Sequence, residues 1–181
     1  TFVTSSGMDG IEQSLLRFYS FGQQYQQTGR SFRVSVLEQG LADYITIAKR
    51  YPKANPELLE NLKALDPIFH ILRIRYLEEV PFIEERSFLP VSLFPDIDTY
   101  DFSSSSLYHI LQNDYGRTIG TAREYLEPYV AKPPEAERIA VPPGTAVFRT
   151  WRYTYDGNRQ LIEIRISMVR TDIVRFYADL L

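Results

Sequence analysis

The sequence lacks several residue types on which common functions depend. It contains no cysteine, which excludes disulfides, thiol nucleophiles and cysteine metal sites. Its two histidines, His70 and His109, are too few for a histidine-rich metal site. It has no long apolar run and no signal-like segment, so nothing in it predicts insertion into a membrane. These absences are compatible with the cytoplasm, where we expect the protein to act.

Catalytic and cofactor-binding motifs are also missing. The sequence shows no Ser/His/Asp order, no glycine-rich dinucleotide fingerprint and no phosphate loop. The net charge is −3, so this chain is not expected to attract nucleic acid by its overall charge. We therefore expect neither a cofactor nor an enzymatic activity.

What the sequence does contain is enough apolar material for a packed core. Of its 181 residues, 44% are hydrophobic, and they include 13 Tyr and 11 Phe. This length and composition suit one domain and argue against low-complexity disorder. Residues 1–10 are small and polar after Thr1-Phe2-Val3 and read as a linker, which leaves 11–181 as the domain.

Local patterns predict an α+β fold with an antiparallel sheet. Two strong turn signals, Leu77-Glu78-Glu79-Val80 and Asp156-Gly157-Asn158, each lie between β-rich segments and predict two hairpins. The predicted strands are Phe32–Leu41, Ile68–Tyr76, Pro81–Leu89, Ile119–Tyr129, Ala146–Tyr155, Arg159–Met168 and Ile173–Tyr177, the last closing the sheet. The predicted helices are Phe21–Gly29, a segment opening at Pro56 behind Asn55, Leu107–Gly116 behind a serine run, and a short one at Pro133.

Arg73 and Arg75 are the first candidate site residues. Side chains alternate along a strand, so both project from the face that carries Phe69 and Ile71. Guanidinium groups on such an apolar surface need a partner. With the turn at residues 77–80, position 73 pairs near position 85, which would put Glu85 on the same face as Arg73, so a structural Arg–Glu pair is one interpretation. A phosphate or carboxylate of a ligand, held by two forked donors, is the other.

Hydroxyl groups at predicted helix starts form the second group of candidates. Ser20 has the spacing of a helix cap, and free backbone N–H groups beside it would suit an anion. Ser106 and Tyr108 belong to a second helix start with the same choice between cap and ligand contact. On the second hairpin, Glu163 and Arg165 fit either a solvated sheet face or a binding site.

Several segments resemble, in order and spacing, the effector-binding (UTRA) domain of the HutC branch of GntR-type bacterial transcription regulators. The resemblance covers about residues 12–181, and Thr1-Phe2-Val3 resembles the last strand of a preceding winged helix. The matching segments are Phe18-Tyr19-Ser20-Phe21, Leu72-Arg73-Ile74-Arg75, Pro81-Phe82-Ile83-Glu84-Glu85, Phe88-Leu89-Pro90, Ser105-Ser106-Leu107-Tyr108, Tyr115-Gly116, Ala122-Arg123-Glu124, Pro143-Gly144, Glu163 and Arg170-Thr171-Asp172 with Arg175-Phe176.

The resemblance implies a chorismate-lyase-like fold: an antiparallel sheet, flanked by short helices, that encloses a ligand pocket. It further implies a homodimer that binds operator DNA only through a winged-helix domain outside this chain. The effector would be a small phosphorylated or anionic metabolite, with a sugar phosphate as the common case. Its anionic group would be held by Ser20, Arg73, Arg75, Ser106 and Tyr108, whereas Glu85 and Glu163 would accept hydrogen bonds from ligand hydroxyls.

Two positions depart from the sugar-phosphate pattern of the family. Val169 stands where a tyrosine is common, and Thr121 stands where an arginine is common. Both changes leave the anion subsite intact and alter the remainder of the expected pocket. Two alternatives stay open. Val169 and the aromatic content are compatible with a regulator that senses an acyl or aromatic ligand, and the shared fold with two arginines is compatible with a chorismate-lyase-like enzyme acting on a small carboxylate.

Overall fold

The main body of the domain is one antiparallel sheet. The computed structural model describes residues 11–14, 31–51 and 54–178. Six strands pair in the order β2-β3-β4-β7-β6-β5. They are β2 (Phe32–Ala42), β3 (Ile68–Leu77), β4 (Val80–Pro90), β5 (Ile119–Val130), β6 (Ala146–Asp156) and β7 (Leu161–Arg170). The α+β prediction with an antiparallel sheet and short flanking helices is confirmed.

Both predicted hairpins form. In the first, Glu78 and Glu79 have φ of 49° and 67°, the left-handed values of a tight two-residue hairpin turn. A one-residue irregularity at Phe82 then shifts the register, so that Arg73 pairs with Glu85, the neighbourhood that the sequence predicts. In the second, the Asp156 carboxylate accepts hydrogen bonds from the backbone N–H groups of Asn158 and Gln160, both at 2.9 Å, and so fixes the turn.

The prediction that the strand Ile173–Tyr177 closes the sheet is wrong. β8 (Val174–Tyr177) does not close the six-stranded sheet but pairs in parallel with β1 (Ile11–Ser14) in a separate two-stranded sheet. Val174 nevertheless packs with Phe82 and Val169 in one apolar cluster, so the small sheet adjoins β4 and β7 of the large one. A strand of only four residues carries no signal in its sequence that distinguishes these partners.

In the part of the chain that the structure describes, four short α-helices flank the large sheet: α1 (Tyr44–Ala48), α2 (Pro56–Ala64), α3 (Leu107–Asn113) and α4 (Pro133–Arg138). The side chain of Asn55 caps α2 by accepting from Leu58 N at 2.8 Å, and Pro56 occupies the first turn, as predicted. Helix α1 was not predicted; it is only five residues long and begins behind Asp43, whose side chain accepts from Thr46 N at 2.7 Å. The predicted helix Phe21–Gly29 and the predicted linker 1–10 lie outside the described residues.

The two faces of the sheet are covered differently. Ile68, Phe88 and Ile164 pack beneath α1 and α2 in one apolar cluster. Phe69 and Ile71 project from the other face and pack with Leu107 of α3 and with residues 94–102. Arg73 and Arg75 follow Phe69 and Ile71 on this second face, beyond the point where the apolar cover ends, and a cavity opens there.

Candidate functional site

A cavity of about 310 Å³ lies between the sheet and the start of α3. This volume falls at the lower end of the range typical of small-molecule sites. Every charged side chain that lines the cavity is an arginine. The lining residues are Phe32, Arg33, Val34, Arg73, Arg75, Phe102, Ser103, Ser104, Ser105, Ser106, Leu107, Tyr108 and Arg165. The wall is therefore cationic, with aromatic and apolar surface beside it.

A single buried carboxylate lies beneath the arginines of the cavity. Glu85 is 1% exposed and accepts hydrogen bonds from Arg73 and Arg75, with the two bonds from Arg75 at 2.7 and 2.9 Å. Arg165 on β7 approaches the same carboxylate to 3.8 Å. Three guanidinium groups thus converge on one carboxylate that does not itself line the cavity.

The charges of this cluster are strongly coupled. Burial acts to raise the pKa of Glu85, but the attraction of Arg73, Arg75 and Arg165 outweighs it and holds that pKa well below the usual value. Burial lowers the pKa of Arg73 to about 10, and attraction to Glu85 only partly compensates. The Nε atom of Arg73 is buried and has no hydrogen-bond partner among the described residues. An additional acceptor placed in the cavity would therefore satisfy a donor that the domain leaves unpaired.

A second buried carboxylate, that of Glu163 on β7, hydrogen-bonds to side chains in and behind the neighbouring part of the cavity wall. It is fully buried and accepts hydrogen bonds from Ser87 and Tyr108, both at 2.7 Å, and from Thr154 at 3.2 Å. Arg165 donates to both oxygens of Glu163 and lies 5.0 Å from the centre of the Tyr108 ring. Burial acts to raise the pKa of Glu163, and the attraction of Arg165 with the two closest hydrogen bonds lowers it below the usual value.

The serine run borders the mouth of the cavity in an arrangement that differs from the predicted cap. Ser106 occupies the N-cap position of α3, but its side chain makes no capping hydrogen bond, so that part of the prediction is wrong. Ser103 and Ser104 donate their hydroxyls to Asp101 at 2.6 and 2.8 Å. This turn orients the run, and Ser105 and Ser106 line the cavity as exposed residues.

The structure brings together most of the side chains that the sequence singles out. Arg73, Arg75, Ser106 and Tyr108 line the cavity, and Glu85 and Glu163 lie directly behind the arginines and Tyr108. Ser20 lies outside the described residues. The ligand contacts expected of these side chains stay predictions.

Other side chains take places that the sequence does not reveal. A solvated face is the wrong interpretation for Glu163 and Arg165, which are 0% and 5% exposed. Arg165 emerges as a third buried guanidinium of the wall; its i, i+2 spacing from Glu163 is the signal that could have indicated it. Val169 is buried in the apolar cluster around Phe82 and does not line the cavity, whereas Thr121 borders a different hollow beside Asp156.

Other site types find no support in the described part of the chain. No group of three or more His, Asp or Glu side chains there could hold a metal ion. None of the helices found in residues 31–51 and 54–178 is long and apolar enough to cross a membrane.

The described residues thus form an antiparallel sheet with a cationic cavity on one face. Comparison with known families identifies the domain: the model of the UTRA domain matches residues 13–175, and the chain belongs to this family. It is the effector-binding domain of a GntR-type transcription regulator, a regulatory module and not an enzyme. The lyase alternative is thereby set aside.

Individual relatives agree with this assignment. The chain is 28% identical over 178 residues to the HTH-type transcriptional repressor NagR of Bacillus subtilis, covering 97% of this chain and 68% of that protein. It is 21% identical over 179 residues to the probable fructoselysine utilization operon transcriptional repressor of Escherichia coli, with coverages of 99% and 69%. The effector domain of PhnF from Mycobacterium smegmatis has the same fold, with a TM-score of 0.79, 21% identity and coverages of 94% and 99%.

Proposed function

We propose that this domain senses a phosphorylated metabolite, with a sugar phosphate as the preferred class, and thereby controls the operator affinity of a repressor. One observation carries the proposal: the cavity is lined by four arginines and by no acidic side chain. Paired guanidiniums suit the geometry and charge of a phosphate better than any neutral group. The names of two relatives, repressors of fructoselysine utilization and NagR, support the repressor role.

The wall of the cavity supports a division of roles within the ligand. Arg73 and Arg75, with the hydroxyls of Ser105 and Ser106 at the mouth, form the phosphate end. Phe102 and Tyr108 provide apolar surface for the ligand body. Glu85 and Glu163 would accept hydroxyl hydrogen bonds only where the ligand reaches between the arginines, because both carboxylates are buried behind them.

The regulatory step follows from the same arrangement. We propose that the chain is part of a homodimeric cytoplasmic repressor, in which residues 1–10 lead from a winged helix into the effector domain of residues 11–181. Effector binding would shift the population between arrangements that do and do not place two winged helices at operator spacing. Such coupling is typically about 1–3 kcal/mol, which corresponds to a 5–150-fold change in operator affinity.

The ligand class is tested by thermal unfolding and calorimetry with a sugar phosphate, the corresponding free sugar and a fatty acid. We expect stabilisation by the phosphate ester alone, and its loss in Arg75→Gln. Two charge-assisted hydrogen bonds at about 1.5–3 kcal/mol each make the expected loss of affinity at least about tenfold. Arg149→Gln is the matched control, because Arg149 pairs with Glu127 at 2.9 Å and is not part of the cavity wall.

Binding of the free sugar as tightly as of its phosphate ester would contradict the proposal. Stabilisation by the fatty acid instead would favour the acyl-sensing alternative, for which Phe32, Phe102 and Leu107 would supply the contacts. In the full-length regulator, an operator affinity that responds to effector as strongly after replacement of Arg73 and Arg75 by alanine would refute the coupling.

A further inference from the structure

Strand β5 forms an edge of the six-stranded sheet and bonds, among the described strands, to β6 alone. It is 12 residues long, and its exposed side chains include Arg123 and Tyr125, the latter 40% exposed. A long edge strand presents a row of unpaired backbone groups and is a template for pairing with another chain. The edge therefore needs either protection or a partner.

The hydrogen-bond pattern between β5 and β6 shows which backbone groups of β5 point away from β6. Ala131 N donates to Thr145 O at 3.0 Å, and the register 130↔146 continues without a shift from Val130 back to Thr121. Because bonded and non-bonded pairs alternate in an antiparallel ladder, odd-numbered residues of this stretch bond to β6. Even-numbered residues therefore direct their backbone groups outward: Ala122, Glu124, Leu126, Pro128 and Val130.

Pro128 falls on the outward series, where its missing N–H does not interrupt the ladder with β6. Its carbonyl still faces outward and can accept a hydrogen bond. A proline and an arginine on an edge can also serve to prevent pairing, which is the competing interpretation. The side-chain pattern decides between the two.

The side chains of β5 are complementary to themselves under a two-fold rotation. If two copies pair antiparallel with the axis at Tyr125, Tyr125 faces Tyr125, and Arg123 of each copy lies opposite Glu127 of the other. These three residues share one face of the sheet because they alternate along the strand. Among the described residues, only one Glu127 oxygen is occupied within its own chain, by Arg149 at 2.9 Å and Trp151 at 3.1 Å, so the other oxygen can accept from the partner's Arg123. A register centred one residue earlier would instead place Glu124 opposite Glu124, where like charges repel.

The other edge of the sheet is less suited to a partner. β2 is interrupted by an irregularity at Leu37, between Val36 and Glu38. Residues 98–100 lie beside it, since Gln39 Nε2 donates to Asp98 O and Tyr100 O at 3.4 and 3.5 Å. β5 shows no comparable cover among the described residues.

We propose that a second copy of this chain pairs with the β5 edge, through an antiparallel β5–β5 ladder centred on Tyr125, so that the two sheets become one. The proposal rests on the homodimer of the proposed function and adds its interface. Glu124 of each copy would form a hydrogen-bonded pair with Leu126 of the other. Pro128 would lie opposite Ala122 of the partner, and because proline has no N–H, one of the two hydrogen bonds of that pair would be missing.

The absence of native cysteine permits a direct test by oxidation of single-cysteine variants. Opposite Cα atoms in a non-bonded antiparallel pair lie about 4.5 Å apart, within the range of a disulfide of roughly 4.4–6.8 Å. Tyr125→Cys, on the axis, is expected to cross-link rapidly into a dimer at low protein concentration. Thr121→Cys is the control on the same strand, because its partner across the axis is Tyr129, and Leu37→Cys is the control on the other edge.

Charge reversal provides an independent measurement. Arg123→Glu places like charges opposite each other twice, so we expect the dimer dissociation constant, measured by light scattering or sedimentation, to rise at least about tenfold. Phosphate-ester binding should persist in this variant, because Arg123 is not part of the cavity wall.

A wild-type dimer that does not cross-link through Tyr125→Cys, or that cross-links equally through Leu37→Cys, would overturn the proposed edge and leave the ligand-sensing proposal standing. A monomeric wild-type chain would overturn the homodimer as well. An unchanged dissociation constant in Arg123→Glu would overturn the proposed register.

Discussion

Replacement of Glu85 by glutamine tests whether the cavity is an anion site organised around one buried carboxylate. The change keeps the shape of the side chain but removes its charge from among Arg73, Arg75 and Arg165. It also turns an amide donor toward guanidinium groups that can only donate. Because loss of one partner of a buried ion pair leaves charge uncompensated, we expect the free energy of unfolding to fall by about 3–5 kcal/mol.

The assay is urea unfolding with and without inorganic phosphate. With a slope of about 2 kcal/mol per molar urea, a loss of this size moves the midpoint by roughly 1.5–2.5 M. Phosphate should stabilise Glu85→Gln more than the unchanged chain, since the carboxylate that repels the anion and occupies the guanidiniums is gone. The stabilisation at each concentration then gives the two dissociation constants.

Glu79→Gln is the matched control, because it removes the carboxylate of another Arg–Glu pair, that of Arg33 and Glu79 at 3.1 Å, which is exposed to solvent. Water screens this pair, so the midpoint should hardly change. The reasoning would be refuted if Glu85→Gln and Glu79→Gln were equally stable, or if phosphate stabilised Glu85→Gln no more than the unchanged chain.

Two further predictions concern the same buried network. Tyr108→Phe removes the hydroxyl that donates to Glu163 at 2.7 Å, so the free energy of unfolding in urea should fall by about 1.5–3 kcal/mol. Tyr125→Phe, on the opposite sheet face, is the control, and an equal loss in it would refute the network. The pKa of Glu85 is lowered by folding, so its contribution to stability is complete above its usual pKa of 4.5 and is lost as pH falls toward the folded pKa. An acid titration of stability should therefore be steeper for the unchanged chain than for Glu85→Gln, and identical slopes would contradict the assigned shift.

Helix starts and hairpin turns could be predicted because a few consecutive residues determine them. Asn55 with Pro56 fixes the start of a helix, and Asp156 fixes a hairpin turn through bonds to residues two and four positions on. The register that joins Arg73 to Glu85 depends on the turn between them and on a one-residue irregularity at Phe82, without which Glu84 would lie opposite Arg73. The first two of these inferences need only a few consecutive residues.

The errors and omissions arise where tertiary contacts decide. The pairing of Val174–Tyr177 with Ile11–Ser14 joins the two ends of the domain, and no spacing in the sequence predicts it. Helix α1 is too short for periodicity to show. Ser106 reaches the N-cap position without making the predicted bond, because position in sequence does not determine where a hydroxyl points.

The candidate site was predicted as a set of residue types, but its internal organisation was not. Alternation along β3 indicated that Arg73 and Arg75 share a face. That Arg165 joins them depends on the strand order β3-β4-β7, which brings β7 to within one strand of β3. The burial of Glu85 and Glu163 behind the cationic wall likewise depends on how α3 and residues 94–107 cover the sheet.

The most direct test of the central claim is a crystal structure of the domain grown with a sugar phosphate. We expect the phosphate in the cavity, with its oxygens about 2.7–2.9 Å from guanidinium nitrogens of Arg73 and Arg75 and the sugar ring beside Tyr108. A phosphate bound elsewhere, or a ligand whose uncharged end faces the two arginines, would contradict the account.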